Sequence, residues 1–437
     1  MNNLENLFNP RSIAIVGASE EAGKVGTSIA KNILELGYLG QVFLVNNKRE
    51  TIFGRQCYRN LNEIESPVDL AIIAIPAQFV NEVIKEAAGK VKNYVIISAG
   101  FSEIGEEGKK RETELFEIKK QNNLNILGPN CLGFIIPSLK LNASFAGGLP
   151  AEGNIAFVSQ SGAIIGAVFD LARKYGLGFS NAISIGNEMD IDETAVIEYL
   201  EKDAKTKVIA LYLEGIKNGQ EFIRVSQKIK KPIIILKAGR NYRSQKAISS
   251  HTGALAGSVE VTAAVFEKCS IIQAENLEEF ISLISYITFN NAPKNNSIAV
   301  ITNAGGPGVL ITDAFDRKAV QLSEIGIKFK VKLKNFLPPE SSIENPIDLL
   351  GDADQSRYQK ALRALDKDEN VGSFICILTP QEQTPVTRVA NAIIKFKNKT
   401  EKSIVTSFIG NDRVAKSVKK LQENGITNFC FPEQAVT

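Results

Sequence analysis

The only histidine in the 437-residue sequence, His251, lies in the segment S-S-H-T-G-A-L-A-G-S at residues 249–258. A buried-strand pattern at residues 232–236 precedes this segment, and the apolar spacing at residues 259–268 predicts a helix after it. His251 is therefore expected on a loop beyond the carboxyl end of a strand, where open α/β sheets bind ligands. An imidazole beside glycine-rich backbone suits nucleophilic attack on an anion. A loop histidine without a chemical role is the alternative.

The composition indicates a globular chain of about three domains, with 44% hydrophobic and 23% charged residues. A net charge of +3 is too small to favour nucleic acid or an anionic membrane as a partner. No segment approaches the roughly 18 apolar residues that span a bilayer, and the N-terminus lacks a signal-peptide pattern. The five cysteines stand far apart, which predicts reduced thiols in a cytoplasm and no zinc site.

The first segment, residues 1–150, opens with a predicted strand at residues 12–16, the turn G-A-S-E-E-A-G-K-V-G and a helix near Thr27. A strand, a glycine-rich turn and a helix start form a cradle for a nucleotide or phosphate. The spacing of Gly17, Gly23 and Gly26 is not G-x-G-x-x-G, so NAD is the less favoured ligand. Further strands at residues 41–46, 69–75 and 94–98 predict a doubly wound sheet. A domain with ordinary turns and no ligand is equally compatible with this segment.

The second segment, residues 151–291, begins with a strand at residues 154–158 followed by S-Q-S-G. Ser159, Ser161 and Gly162 would place hydroxyl and amide groups at a helix start, which predicts an anion site. Glu214 follows the strand at residues 208–213 and is expected at the same sheet edge as His251. A carboxylate there would hold one imidazole N–H and favour the cationic ring, although a surface role for Glu214 is the alternative.

The third segment, residues 296–437, repeats the second. N-I-A-F-V-S-Q-S-G at residues 154–162 aligns without a gap on S-I-A-V-I-T-N-A-G at residues 297–305. The repeat predicts two flavodoxin-like domains of common ancestry, of which only the first has a histidine. The chemistry is therefore expected in the second segment. The chain stops within a predicted helix start, F-P-E-Q-A-V-T, and a truncated C-terminus is expected.

Taken in order, the motifs G-A-S…V-G, V-N-N-K, I-P-A, S-A-G-F, G-P-N-C-L-G, S-Q-S-G-A, G-N-E-M-D, L-E-G and S-S-H-T-G-A-L-A-G-S cover nearly the whole chain. This order resembles the nucleoside-diphosphate-forming acyl-CoA synthetases, the family of the succinyl-CoA synthetase and ADP-forming acetyl-CoA synthetase α subunits. The resemblance implies an α/β fold with a Rossmann-like CoA-binding domain followed by two flavodoxin-like doubly wound domains. One departure is Asn47, because the family usually reads V-N-P-K at this turn.

The resemblance also implies roles for particular residues. His251 would become phosphohistidine by attacking an acyl phosphate, and Glu214 would orient its ring and stabilise its charge, with Asn187 near the acyl group. CoA would bind at the first domain, with Lys48 near its nucleotide phosphates, and the phosphoryl oxygens would be held at two helix starts. The implied CoA-binding residues are Gly17, Ala18, Ser19, Gly26, Lys48, Ile75, Pro76, Ala99 and Asn130, and the implied phosphate-binding residues are Ser159, Ser161, Gly162, Gly253 and Ala254.

No ATP-grasp domain is recognisable in the sequence. The resemblance therefore implies that ADP or ATP and Mg²⁺ bind to an ATP-grasp β subunit or to a missing C-terminal domain, in a hetero-oligomer, with no metal on this chain. Related chains that sense CoA and regulate an acetyltransferase lack the phosphohistidine, so a CoA-sensing module is the alternative function. A nicotinamide-dependent oxidoreductase is a third interpretation and rests only on the fold of the first segment.

Overall fold

The computed structural model describes residues 4–436 apart from 242, 246–257, 291–292, 294 and 319. Within these residues the chain forms three mainly parallel sheets whose strands alternate with helices, as the sequence predicted. Several elements match their predicted bounds, including the strands Ser12–Val16 and Val208–Leu213 and the helix Val259–Lys268. The fold class is therefore α/β, with doubly wound sheets.

The first sheet has seven strands in the order β3-β4-β2-β1-β5-β6-β7. All pairs in it are parallel except β3 with β4, and the fully buried β1 is near the centre of the sheet. The chain crosses back over the sheet after β4, so the ends of β1 and β5 border a crevice. The strands are β1 (Ser12–Val16), β2 (Gln41–Val45), β3 (Thr51–Ile52), β4 (Arg55–Tyr58), β5 (Leu70–Ile73), β6 (Asn93–Ile96) and β7 (Asn125–Leu127), and the helices are α1 (Glu5–Phe8), α2 (Val25–Glu35), α3 (Val80–Ala87) and α4 (Glu106–Asn122).

The second sheet also has seven strands, in the order β14-β13-β12-β10-β11-β8-β9. Its edge strands β8 and β9 are antiparallel and come from residues 133–144, which precede the second segment in sequence. The strands are β8 (Gly133–Ile136), β9 (Leu141–Ser144), β10 (Glu152–Ser159), β11 (Phe179–Ser184), β12 (Val208–Leu213), β13 (Ile233–Lys237) and β14 (Ile272–Ala274), and the helices are α5 (Gly162–Lys174), α6 (Glu193–Lys202), α7 (Gly219–Ser226), α8 (Val259–Lys268) and α9 (Leu277–Phe289).

The third sheet is smaller and follows the order β16-β15-β18-β19, with β17 paired to β15. All of its ladders are parallel, as the flavodoxin-like prediction requires. The strands are β15 (Ser297–Thr302), β16 (Gln321–Leu322), β17 (Ile347–Asp348), β18 (Ser373–Leu378) and β19 (Ser403–Phe408), and the helices are α10 (Gly305–Lys318), α11 (Ile327–Lys334), α12 (Gln355–Leu365), α13 (Val386–Lys397) and α14 (Asp412–Glu423).

The chain divides into two compact units. The first unit contains Met1–Arg173 and Leu177–Phe280, and the second contains Lys174–Gly176 and Ile281–Thr437. Inside the first unit, the first two sheets share one contiguous apolar cluster. The ring of Phe8 lies 5.3 Å from that of Phe134 and 4.9 Å from that of Tyr199, so the N-terminal helix is packed against the second sheet.

Two features are absent from the described part of the chain. Among these residues, no helix is both long and apolar enough to cross a bilayer. The same residues contain no group of three or more histidine, cysteine or acidic side chains arranged to hold a metal ion.

A buried ion pair links the first two sheets. Lys119 of α4 contacts Asp190 at 2.6 Å, and the Asp190 side chain is only 5% exposed. The other carboxylate oxygen of Asp190 accepts a hydrogen bond of 2.9 Å from the N–H of Ile126 in β7. Asp190 therefore stabilises the contact between the G-N-E-M-D turn and the edge of the first sheet.

We expect Asp190→Ala to lower the stability of the first unit by about 2–4 kcal/mol, because it leaves a partly buried ammonium and a main-chain N–H without their acceptor. Thermal unfolding followed by circular dichroism measures the change. Lys109→Ala is the control, because its ion pair with Glu106 is exposed and should change stability by less than about 0.5 kcal/mol. Equal stability of Asp190→Ala and the wild type would contradict this account.

Candidate functional site

The glycine-rich turn after β1 brings the backbone into close contact with the start of α2. Gly17 has φ of +90° and donates its N–H to the carbonyl of Val45 at 3.0 Å. A Cβ atom on Gly26 would lie 1.9 Å from the carbonyl oxygen of Gly17, so only glycine fits there. The helix start at Lys24 has no side-chain cap, and no acidic residue lies in its first turn. Its N–H groups are therefore suited to an anionic ligand.

The turn that carries Lys48 is attached to this loop. The Asn46 amide donates to the carbonyl of Ala18 at 2.8 Å, and its oxygen accepts the N–H of Lys48 at 2.9 Å. The Ser19 hydroxyl accepts the N–H of Glu21 at 3.1 Å and so shapes the same loop. Asn47 stands where the family usually has proline, and the side chain of Asn46 forms the turn at this position. Lys48 is exposed beside the loop.

A cavity of about 410 Å³ connects the first sheet to the start of α5. Ile75, Ala99 and Asn130 line it, together with Gly162, so three residues predicted for CoA and one predicted for phosphate share its wall. Pro76 is next to Ile75 and is exposed. The remaining wall is mainly apolar, which suits the uncharged pantetheine arm of CoA better than its phosphates; it comprises Val25, Ala74, Ile97, Ser98, Cys131, Leu132 and Phe145.

Two larger cavities, of about 610 and 780 Å³, lie at the opposite ends of the strands. The first is lined by residues such as Ser180 and Asp203, and the second by Ser12 and Asp69, which precede or begin strands. Ligands of open parallel sheets bind at the carboxyl ends. The smaller cavity is therefore the better candidate site.

The predicted phosphate turn has a defined hydrogen-bond pattern. The hydroxyl of Ser159 donates to the carbonyl of Ser161 at 2.7 Å and accepts the N–H of Ser161 at 3.1 Å. Ser159 is fully buried, so its side chain shapes the turn rather than facing solvent. Gly162 begins α5, and a Cβ atom on it would lie 2.9 Å from the Leu132 side chain. The turn therefore places the first residue of α5 in the wall of the cavity.

The backbone of Glu214 is held from two sides, just beyond β12. Its N–H donates to the side-chain oxygen of Gln160, and its carbonyl accepts the ammonium of Lys237 at 2.7 Å. Glu214 is 9% exposed and Lys237 is 7% exposed. Burial lowers the pKa of Lys237, and the nearby Glu214 carboxylate opposes that shift. Sequence reasoning predicted Glu214 at this edge, but it missed both residues that hold it.

Asn187 connects the two sheets of the first unit. Its amide donates to the carboxylates of Glu103 at 2.7 Å and Glu112 at 3.0 Å, and to the hydroxyl of Ser102 at 3.1 Å. Its oxygen accepts the Asn130 amide at 3.2 Å. Burial raises the pKa of Glu103, but hydrogen bonds from Asn187 and from main-chain N–H groups more than offset this and lower it. The amide groups of Asn187 are thus occupied by protein partners.

Two buried carboxyls, those of Glu188 and Glu193, lie behind the phosphate turn. Glu188 is 5% exposed and accepts the Gln160 amide at 2.7 Å, and its backbone has φ of +53°. Burial raises the pKa of Glu188, and the negative charge of Glu193 raises it further. Burial, together with the charge of Asp192, raises the pKa of Glu193 to about 7, and its carboxyl is within hydrogen-bond reach of that of Glu188. Neither carboxyl was singled out from the sequence, although Glu188 lies within the G-N-E-M-D motif.

His251, Gly253 and Ala254 lie outside the described residues. The elements on either side of them are described. β13 ends at Lys237 beside β12, in parallel register, and α8 begins at Val259. The hydroxyl of Ser258 caps α8 by accepting the N–H of Val261 at 3.4 Å. The loop predicted to carry the histidine is therefore bounded by the strand next to β12, the strand that Glu214 follows.

Three family models together match most of the chain. A CoA binding domain matches residues 11–137, a succinyl-CoA ligase-like flavodoxin domain matches residues 152–287, and a ligase-CoA domain matches residues 298–436.

Similar proteins include ligases from archaea. The chain is 41% identical to an ADP-forming acetate–CoA ligase I of Archaeoglobus fulgidus, over 99% of this chain and 62% of that protein. It is 39% identical to the α subunit of an ADP-forming acetate–CoA ligase II of Pyrococcus furiosus, over 98% of this chain and 95% of the subunit. It also resembles the solved acetyl-coenzyme A synthetase 1 of Candidatus Korarchaeum cryptofilum in complex with phosphate and ADP, with a TM-score of 0.95 and 34% identity, covering 100% of this chain and 95% of that one.

We expect stability to fall as the pH rises from about 5 to 8, because carboxyls whose pKa values are raised by folding bind protons more tightly in the folded state. For Glu193 this window runs from its ordinary value of 4.5 to about 7. Glu193→Gln should flatten the dependence and raise stability at pH 8 by on the order of 1–3 kcal/mol. Melting temperatures at several pH values measure this.

Glu198→Gln, on the same helix but partly exposed, is the matched control and should leave the pH dependence unchanged. An unchanged slope in Glu193→Gln would show that the buried carboxyls do not take up protons in this range.

Proposed function

We propose, because this chain belongs to the nucleoside-diphosphate-forming acyl-CoA synthetase family, that it is the CoA-binding and phosphohistidine part of an ADP-forming acetate–CoA ligase. The complete reaction interconverts acetyl-CoA, phosphate and ADP with acetate, CoA and ATP. The observation that carries the proposal is the cavity shared by Ile75, Ala99, Asn130 and Gly162, because it joins the predicted CoA path to the predicted phosphate turn.

Acetyl-CoA is the substrate of the first step, and its CoA moiety fits the first sheet in two respects. The uncapped start of α2 and the loop at Gly17, Ala18 and Ser19 offer N–H donors to its phosphates, with the Lys48 ammonium beside them. The apolar cavity suits the pantetheine arm, which passes Ile75 and Pro76 toward Ala99 and Asn130. We accordingly assign residues 1–150 to CoA binding, residues 151–291 to the phosphohistidine domain and residues 296–437 to a second flavodoxin-like domain.

The phosphoryl steps follow at the start of α5. Phosphate attacks the thioester carbonyl, the carbon–sulfur bond breaks, and CoA leaves as an acyl phosphate forms. The neutral imidazole of His251 then attacks phosphorus, and the bond to the acyl oxygen breaks to release the carboxylate. The hydroxyl of Ser161 and the N–H of Gly162, with N–H groups at Gly253 and Ala254, stabilise the phosphoryl oxygens, while Ser159 shapes the turn by accepting the Ser161 N–H.

Glu214 holds the second imidazole N–H and stabilises the cationic phosphohistidine. Asn187 is expected near the acyl group, and its contacts support a further role. Its side-chain amide group binds Asn130, Glu103 and Glu112. We propose that these bonds align the CoA path with the phosphate turn, and that Asn187 affects the acyl group through this alignment.

The chain spans 62% of the Archaeoglobus relative and nearly all of the Pyrococcus α subunit. We propose that the phosphate moves from His251 to ADP on an ATP-grasp partner, either a β subunit in a cytoplasmic hetero-oligomer or a C-terminal domain. Mg²⁺ would bind with the nucleotide on that partner, where it offsets phosphate charge. A CoA-sensing module without ligase activity is less consistent with this chain, because both His251 and Glu214 are present.

We expect Gly26→Ala to weaken CoA binding at least tenfold, because the added Cβ atom must displace the carbonyl of Gly17. Isothermal titration of the chain with CoA measures this. Gly89→Ala is the matched control, since a Cβ atom there meets no atom within 4 Å. Titration with NAD should give no binding, and NAD binding without CoA binding would favour an oxidoreductase.

The phosphoryl chemistry is tested by incubating the chain with acetyl-CoA and labelled phosphate. The wild type should acquire an acid-labile, alkali-stable label, as phosphohistidine does, and His251→Ala should acquire none. Addition of ADP and Mg²⁺ should release labelled ATP only when an ATP-grasp partner is present. Absence of label on a wild type that still binds CoA would instead identify a CoA-sensing module.

A further inference from the structure

The side chain of Gln160 uses its whole hydrogen-bonding capacity on the residues around Glu214. Its oxygen accepts the N–H of Glu214 and, at 3.0 Å, the N–H of Gly215. Its amide donates to the carbonyl of Gly215 at 2.9 Å and to the carboxyl of Glu188 at 2.7 Å. Three of these four bonds reach main-chain atoms of the turn that carries the Glu214 carboxylate.

These bonds extend a strand ladder beyond its end. The last paired residues of β10 and β12 are Ser159 and Tyr212, and the N–H of Gln160 still donates to the carbonyl of Tyr212 at 3.1 Å. Past that point the side chain of Gln160 replaces a strand partner for Glu214 and Gly215. A turn that would otherwise leave the sheet is thereby held in one position relative to Ser159 and the start of α5.

Glu188 fixes the orientation of Gln160. Its carboxyl is buried, and it accepts the Gln160 amide at 2.7 Å. The ammonium of Lys217 holds the backbone by binding the carbonyls of Asn187 at 2.6 Å and Glu188 at 2.9 Å. With the carboxyl of Glu188 in place, the oxygen of Gln160 is directed toward the N–H groups of the turn.

We propose that Gln160 is a positioning residue for the Glu214 carboxylate and that Glu188 holds Gln160 in the orientation this requires. The inference rests on the proposed function, in which Glu214 orients His251. It adds two residues that act on the phosphoryl step through Glu214 without contacting the substrate.

The third sheet contains the same arrangement, but an uncharged residue, Thr379, takes the place of Glu214. Asn303, which aligns with Gln160 in the repeat, accepts the N–H of Thr379 at 2.8 Å and donates to its carbonyl at 2.9 Å. The adjacent Thr302 and Ala304 repeat the bonds of Ser159 and Ser161, at 2.9 and 3.1 Å. In both sheets the side-chain amide therefore holds the turn that follows a neighbouring strand. It affects the chemistry only where that turn contains a reactive residue, as the second sheet's turn contains Glu214. Asn303 provides a matched control for Gln160.

The test measures the rate of label uptake from acetyl-CoA and labelled phosphate by the full chain, as a function of phosphate concentration. Gln160→Met keeps the volume but loses the hydrogen bonds, and should lower the maximal rate about 10- to 100-fold, since small misplacements of reacting groups have effects of this size. The half-saturating concentration of acetyl-CoA and the CoA affinity should stay close to wild type, and the melting temperature should fall about as much as in Asn303→Leu, which loses equivalent hydrogen bonds. Asn303→Leu should lower the melting temperature but not the rate.

Glu188 gives a second test by conservative rescue. Glu188→Gln keeps an acceptor for Gln160 and should retain the rate within about threefold, whereas Glu188→Ala should behave like Gln160→Met. In addition, Gln160→Met added to Glu214→Gln should cause little further loss, because a residue that acts through Glu214 has no effect once that carboxylate is gone.

The outcomes separate the two proposals. A wild type that takes up label together with a Gln160→Met variant of equal rate overturns the positioning role and leaves the proposed function intact. If the rate losses of Gln160→Met and Glu214→Gln multiply in the double variant, Gln160 does not act through Glu214 and the positioning role is overturned. A rate loss that is matched by a loss of CoA affinity or of folded protein also overturns it, because it shows a structural role. A wild type that binds CoA but takes up no label overturns the proposed function and this inference with it.

Discussion

Two adjacent side chains in the turn at residues 186–188 contact two different sheets. The position of the CoA path relative to the phosphate turn depends on these contacts. Asn187 binds the Asn130 side chain and carboxylates beside the first sheet, whereas Glu188 binds Gln160 in the second sheet. The backbone has positive φ at Gly186 and at Glu188, and a Cβ atom on Gly186 would lie 2.3 Å from the carbonyl of Pro129. A compact turn of this shape places the two side chains in opposite directions, so one segment sets both halves of the site.

Polar groups in this region are buried, and each needs a partner because desolvation is costly. The carbonyls of Asn187 and Glu188 receive Lys217, and the carbonyl of Glu214 receives Lys237. Such a network specifies a single geometry, since loss of one member leaves others unsatisfied. The same burial shifts the pKa values of Glu188 and Glu193 upward, so the rigidity of the site and the pH dependence of its stability have a common physical origin.

The repeat between the second and third sheets shows how a shared framework acquires a specific role. Both copies use a hydroxyl to shape the turn before a helix and an amide to hold the end of a neighbouring strand. In the third sheet the amide binds Thr379, whose side chain is uncharged, and no histidine follows. In the second sheet the held turn presents Glu214. The two copies therefore differ in the residues that follow their strands, while the way in which the turns are held is the same.

The sequence by itself determined the strands, the helices and the sheet edge at which chemistry is expected. Apolar runs such as Val208–Leu213 and turns such as G-A-S predict buried strands and ligand loops from local patterns alone, because the spacing of apolar residues and the geometry of glycine are local properties. It also singled out His251 and Glu214 by residue type and motif order. The bounds of α8, including its start after the histidine segment, followed from the same periodicity.

Only the tertiary structure decided how distant segments meet. Gln160 and Glu214 are 54 positions apart, and Asn187 lies 84 positions from Glu103, so no local pattern reveals that they bind one another. The pairing of residues 133–144 with the second sheet likewise depends on the edge that β11 leaves open. Hydrogen bonds of this kind are fixed by the packing of sheets, and their partners have residue types that are common throughout the chain.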